Sequence, residues 1–303
     1  MKKNKFNNII GLTLVEILIG IVVSMLMMAA MYTSYSIVNN TYSQVTSRAT
    51  ISRAGRDVVG MMMRDIRMAG FKYYGDTVSY VPGNTAGTLE KSHAPLIITK
   101  EGDSSPIHKD TIASGIKESD DKCCDQIDIV YGDYNSEADP GEQFSRYKIT
   151  YYGSGHATVK ITEIEEADSD EEKLIEYYAI YKSKKKWNES ANDWEVCDDQ
   201  CFEGTLVRDY LVDMEFIATD HNGKVIDPPP SPTNSNSDKL FSIRAVDVRL
   251  TFRSQKDFFK SESTTEKPRL MQGLGNRSRE FIEDKYLRES ILVSIHTRNI
   301  GGM

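Results

Sequence analysis

Four cysteines, five histidines, one acid-rich loop and one carboxylate set inside an apolar run are the residues here whose types and spacing could do chemistry. Cys123 and Cys124 are adjacent and Cys197 and Cys201 are four apart, so the chain offers a CC pair and a CxxxC pair. Four thiols allow three disulfide pairings or one zinc site. Adjacent cysteines chelate one metal awkwardly. A bond within the adjacent pair would be strained, cross-pairing would tie two loops together, and Cys197–Cys201 closure would be local. The loop 133–142 (DYNSEADPGE) places oxygen ligands at alternate positions, as calcium loops do, but it lacks the EF-hand glycine and flanking helices. A solvated acidic loop is the preferred reading, and no metal site is assigned. His93, His108, His156, His221 and His296 show no HExxH or other ligand spacing. No GxSxG elbow, phosphate-cradling glycine loop or Walker motif is present. The expectation is therefore a protein that is not an enzyme and needs no cofactor.

Glu16 is the carboxylate that asks for an explanation. Residues 12–31 (LTLVEILIGIVVSMLMMAAM) are apolar or small apart from Thr13, Glu16 and Ser24. Extended to Val38, the segment forms about 40 Å of helix, enough to cross a bilayer core of about 30 Å. Lys2, Lys3 and Lys5 precede it, which favours a cytoplasmic N-terminus. A cleaved secretory signal would end in a small-x-small site, and Met28-Ala29-Ala30 offers no clean one. A core helix would not need the lysine flank, and a plain anchor leaves Glu16 unexplained. An ionisable residue inside such a span costs about 2.5 kcal/mol or more near the bilayer centre and is a functional candidate by default.

The elements that must carry these residues follow from periodicity. No proline interrupts residues 32–69, and Val38, Tyr42, Val45, Val58, Met62, Ile66 and Ala69 recur mostly at helical steps. The spacing breaks near Arg53–Gly55, which predicts a kink or a change of packing face. Gly70 is a suitable helix stop. A helix over residues 12–69 would be about 87 Å long, and its outer half must bury a stripe against a sheet. Met61-Met62-Met63 is read as core packing.

Strands are predicted over 126–131, 146–152, 156–164, 177–181 and 245–252, with Gly153-Ser154-Gly155 as a hairpin turn. A second hairpin is predicted from 212–218 through Asn222-Gly223 to 224–226. The lysine run Lys182, Lys184, Lys185, Lys186 is read as a solvated loop, and so is the acidic turn 168–172. The segment 227–238 (DPPPSPTNSNSD) is read as a loop too poor in apolar residues to pack, and 280–289 as a short helix. The fold class is α+β: a long N-terminal transmembrane and amphipathic helix packed on an antiparallel β-sheet domain. The division is a basic N-terminal segment, a helix over 12–70 with its transmembrane part at 12–38, and a β-rich extracytoplasmic domain over 71–303. With a net charge of −8 and no basic patch with interleaved aromatics, nucleic acid is excluded as the main partner.

Gly11-Leu12-Thr13-Leu14-Val15-Glu16, after a short basic leader and before an apolar helix, resembles the prepilin signal of the type IV pilin family. The resemblance implies a pilin-like fold, a prepilin leader peptide over residues 1–11, and cleavage by prepilin peptidase between Gly11 and Leu12. It further implies N-methylation at Leu12, where the family usually has Phe, and retention of the helix in the inner membrane. It makes Glu16 the fifth mature residue, able to neutralise the Leu12 amine of a neighbouring subunit. Residues 63–71 (MRDIRMAGF), 243–250 (IRAVDVRL) and 295–300 (IHTRNI) resemble stretches of PilW-like minor pilins. The implied partners are other minor and major pilins, the inner-membrane assembly platform and the lipid bilayer. The implied location is a single-pass inner-membrane protein that reaches the pilus or cell surface on assembly. Its role would be to prime, assemble or cap a pilus. A type II secretion minor pseudopilin and a membrane-anchored adhesin or binding protein without assembly role are the alternatives. With the domain outside the membrane, the oxidising compartment favours disulfides over zinc for Cys123, Cys124, Cys197 and Cys201.

Overall fold

The computed structural model describes residues 13–71, 93–100, 124–137, 143–160, 174–188, 190–191, 193–197, 200–232, 234–255, 269–271, 280–282 and 286–300. One helix, α1 (Leu14–Met68), opens the chain. Two compact units divide it, residues 1–49 and residues 50–303.

In the second unit the end of α1 packs on an antiparallel sheet. The strands are β1 (Leu96–Thr99), β2 (Gln126–Tyr134), β3 (Phe144–Lys160), β4 (Leu174–Asn188), β5 (Asp193–Glu195), β6 (Phe202–Thr219), β7 (Ala245–Arg253) and β10 (Arg288–His296). They order as β1-β2-β3-β4-β6-β7-β10, with β5 paired to β4 off that path. A separate two-stranded ribbon joins β8 (Arg269–Met271) and β9 (Glu280–Ile282). The α+β expectation, one long apolar helix and an antiparallel sheet, holds.

Helical spacing explains the packing. Ile51, Gly55, Val58, Val59, Met62 and Ile66 are buried at three- and four-residue steps and form one stripe. The stripe belongs to the same core as Ile127, Ile129, Tyr151, Phe216, Val248 and Leu250. These sheet residues alternate along their strands, as period two requires. At Gly55 the helix lies close against β10: a Cβ there would lie 2.1 Å from Ile291 Cδ1. The break in apolar spacing near Arg53–Gly55 is thus a close-approach point within an unbroken helix. Gly70 ends the helix at φ 73°, and its N–H donates to the Val130 carbonyl at 2.9 Å.

The sheet curls far enough for β2 to meet β6, although β3 and β4 lie between them in the order. Asp125 N–H donates to the Met214 carbonyl at 2.9 Å, and the Asp125 carboxylate accepts from Phe216 N–H at 2.9 Å. Lys100 Nζ then donates to both Asp125 Oδ2 (2.7 Å) and the Phe216 carbonyl (2.6 Å). This closes the seam with a buried, paired carboxylate.

Several sequence expectations need correction. Gly153-Ser154-Gly155 is not a turn: β3 runs through it, because Gly153, Ser154 and Gly155 pair with Ile180, Ala179 and Tyr178 of β4. A partner strand running along the whole segment outweighs the local turn preference. The lysine run is strand, since β4 extends to Asn188, and the Lys182 and Lys184 ammonium groups lie over aromatic rings. The described residues of the 280–289 segment are not helical: Glu280–Ile282 form β9, and Arg288 and Glu289 begin β10, whose ladder to β7 runs from Arg288↔Arg253 to His296↔Ala245. The proline-rich loop does pack: Pro229 and Pro230 are buried, and Asn234 and Asn236 donate to the Pro229 and Pro228 carbonyls at 2.6 and 2.7 Å. The asparagines satisfy the carbonyls that packing removes from water. Of the three methionines, Met62 is fully buried and Met61 is 41% exposed. The hairpin at Asn222-Gly223 forms, with a bridge between Thr219 and Val225 and Gly223 at φ 74°. The acidic turn 168–172 lies outside the described residues.

Candidate functional site

Thr13 precedes the helix and Glu16 stands in its first turn, and the two close on each other. Thr13 N–H and Oγ1 both donate to Glu16 Oε2 at 3.1 Å, while Glu16 N–H donates to Thr13 Oγ1 at 3.3 Å. This is a capping box, T-x-x-E, which satisfies helix-end donors and places a negative charge at the positive end of the helix dipole. Thr13 was legible as a cap from that spacing but was not singled out above. Glu16 Oε1 takes no hydrogen bond or ion pair among the described residues.

Beyond the cap, the first unit presents apolar side chains on every side. Its most apolar window has a mean hydropathy of 2.4 and none of it is buried, and the helix is long and apolar enough to cross a membrane. Leu14 through Val45 includes Leu26 at 67% and Met31 at 74% exposure. Three hydroxyls in this stretch are turned back on the helix. Ser24 Oγ donates to the Gly20 carbonyl (2.8 Å), Thr33 Oγ1 to Ala30 (2.9 Å) and Thr41 Oγ1 to Ile37 (2.9 Å).

In the second unit, a buried polar lock fixes α1 to the sheet. The Asp65 carboxylate accepts from Tyr151 Oη at 2.5 Å and pairs with Lys182 Nζ at 2.7 Å. Lys182 also lies 5.3 Å from the Tyr151 ring centre, and Lys184 lies 4.3 Å from that of Tyr147. Burial first, and then the Asp65 charge, raise the Tyr151 and Tyr131 hydroxyls well above the ordinary tyrosine range. Burial lowers Lys184. A second buried cluster joins Arg249 to Asp213 and Glu215, each at 2.5 Å, on the face of β6 and β7 away from Phe216 and Val248. Sequence reading missed both clusters, because Asp65 and Lys182 are ordinary surface types until the fold brings them together.

Among the predicted site residues, Gly11 and Leu12 lie outside the described residues, as does Cys123. Glu16 is exposed at the cap. Cys197 and Cys201 are bonded to each other across 5.0 Å between Cα atoms, so the cross-pairing with the Cys123–Cys124 region is not formed. The four-residue spacing brings the two sulfurs together locally. Cys124 is itself disulfide-bonded. In the acidic loop, Asp133 and Asn135 turn their side-chain oxygens onto the N–H groups of Tyr134 and Glu137. Residues 138–142 of that loop lie outside the described residues.

No protein-family model matches the chain. No curated protein matches it either. Among solved structures it is similar to a type IV-like pilin from Thermus thermophilus, with 10% identity, a TM-score of 0.39, and coverage of 82% of this chain and 98% of that one.

Proposed function

We propose that the chain is a type IV pilin-like subunit, and more specifically a PilW-like minor pilin that helps prime, assemble or cap a pilus. The observation that carries this reading is the segment Gly11-Leu12-Thr13-Leu14-Val15-Glu16 leading into an apolar helix with all its sides uncovered. In this mechanism the lysine-flanked N-terminus stays cytoplasmic until prepilin peptidase cuts between Gly11 and Leu12. The helix then rests in the inner membrane with the second unit outside. The capping box keeps Glu16 partly satisfied while the subunit waits. On assembly, the open Glu16 oxygen takes the amine of a neighbouring subunit, and apolar helices of other minor and major pilins replace lipid. A charge pair formed only on assembly fixes register, because either charge alone is costly in an apolar surrounding.

Mass analysis of the mature N-terminus tests the reading directly. Cleavage between Gly11 and Leu12, with a methyl group on Leu12, is the expected result; an intact Met1 overturns it. Glu16→Ala is expected to abolish co-purification with partner pilins while the protein remains in the membrane. Unchanged co-purification and filament formation would leave only the anchored binding protein.

A further inference from the structure

A groove of about 790 Å³ runs along α1 beside the C-terminal segment, lined by Met63, Arg64, Arg67, Met68, Phe71 and Arg298 together with Gly60 and Asn299. Residues 60, 64 and 67 recur at helical steps, on a side of α1 different from the stripe buried on the sheet, and Phe71 follows just past the helix end. The opposite wall is fixed in place. Asn299 Nδ2 donates to the Arg67 carbonyl at 3.1 Å, Ile300 is buried, and Thr297 N–H donates to the Arg244 carbonyl at 3.0 Å.

Two features distinguish this groove from ordinary surface. Its three guanidiniums make no ion pair among the described residues, and none of its lining residues is a carboxylate. This occurs in a chain whose net charge is −8, where acids are the more abundant partners. The same lining includes Met63, Met68 and Phe71, the last 42% exposed. Three positive charges lining one groove repel, and an anion relieves that repulsion with charge-assisted hydrogen bonds. Methionine is an adaptable wall for an apolar side chain.

We propose that this groove docks an acidic segment of a neighbouring pilin subunit other than a copy of this chain, an inference that rests on the pilin-like reading above. Carboxylates of the partner pair with Arg64, Arg67 and Arg298, and an apolar side chain between them sits against Met63, Met68 and Phe71. A lipid phosphate would meet the guanidiniums but leave the apolar floor unused, so the charge and the floor together favour a protein segment.

The test places a photo-cross-linking amino acid at Met68 of the full chain in its native membrane and sequences the linked peptide. The expected product is a peptide of another membrane-anchored pilin with clustered carboxylates. Its yield should fall about tenfold or more in the Arg64→Glu/Arg67→Glu variant, and recover in Arg64→Lys/Arg67→Lys. Both arginines are exposed, so the fold should tolerate the change. Should melting show otherwise, Arg64→Gln/Arg67→Gln carries the same expectation. Links only to lipid, to a second copy of this chain or to a peptide without carboxylates would overturn the proposal. So would no link, or a yield indifferent to charge reversal. The mature N-terminus is read from the same sample. Cleavage before Leu12 without the link sinks the groove alone, whereas an uncut Met1 sinks the pilin reading.

Discussion

The two halves of α1 are the same secondary structure in opposite circumstances. From Leu14 to Ala49 the apolar side chains surround the helix and are exposed, whereas Ile51, Val58, Val59, Met62 and Ile66 are at most 5% exposed. The second half confines its apolar residues to a stripe, and the sheet covers that stripe. Residues 14–32 of the first half show no such stripe. Helices apolar on every side belong in lipid or among other helices. The contrast teaches that helix formation is decided locally, while the medium a helix needs is written in how its apolar residues are distributed around it.

High pH should separate the halves most sharply. Burial raises Tyr131, Tyr151 and Tyr181 in the folded second unit above their ordinary value of 10.0. A group whose folded pKa is raised contributes stability below its unfolded value and loses it above. Lys184, lowered from 10.5, works the other way and regains stability as pH approaches that value. Three losing groups against one gaining give net destabilisation above about pH 10. In detergent, β-sheet circular dichroism should therefore be lost above about pH 10, while the helical signal of the first half persists. A sheet signal that stays unchanged well above about pH 10 would show that these hydroxyls do not contribute to the fold.

Removing the lock comes next. Asp65→Ala leaves Lys182 charged and partly buried without its partner, and should cost about 3–5 kcal/mol, read by thermal unfolding. Lys182→Met, which removes the other charge, should cost a similar amount. Asp65→Ala/Lys182→Met together should cost less than either alone would suggest. Simple additivity would mean the pair is not coupled.

How legible this was depended on the range of the interaction. The apolar run, Glu16 and the Gly70 stop follow from residues within a few turns of one another, and they stood in the sequence. Strand existence at 126–131 and 245–252 was also readable, because β-branched and aromatic residues cluster there. The lysine run of β4 was not, since its strand character comes from Asp65, Tyr147 and Tyr151, all distant in sequence. The same holds for Gly153-Ser154-Gly155, whose turn preference is overridden by a ladder to β4. The tri-arginine groove combines helix residues with Arg298, more than 200 positions away, and no local pattern announces it.

A lysine at Met25 and one at Met61 compare the halves directly, since both methionines are exposed, at 65% and 41%. Met25→Lys should cost about 2.5–3.5 kcal/mol in membrane insertion, read as the membrane-integrated fraction. Met61→Lys should stay within about 0.5 kcal/mol in thermal unfolding. Equal small effects would remove the case for a membrane environment around the first half. In the second half, Gly55→Leu drives side-chain atoms into Ile291 and Phe252, where even a Cβ is too close. About 1–3 kcal/mol of destabilisation is expected.

The most local effect belongs to the cap. Thr13→Ala removes the hydroxyl that accepts from Glu16 N–H and donates to Glu16 Oε2, at a cost of about 1 kcal/mol. The backbone bond from residue 13 to Glu16 Oε2 can survive, so the carboxylate is loosened but not released. Hydrogen exchange should therefore quicken only in the first turn of α1, and the melting of the second unit should not move. Glu16→Gln keeps the size and an acceptor oxygen while removing the charge. It should fray the same turn about as much as Thr13→Ala, yet abolish partner co-purification, which Thr13→Ala should spare. If both variants lost partners equally, the capping geometry would matter more than the charge, and Glu16 would be acting through helix structure alone.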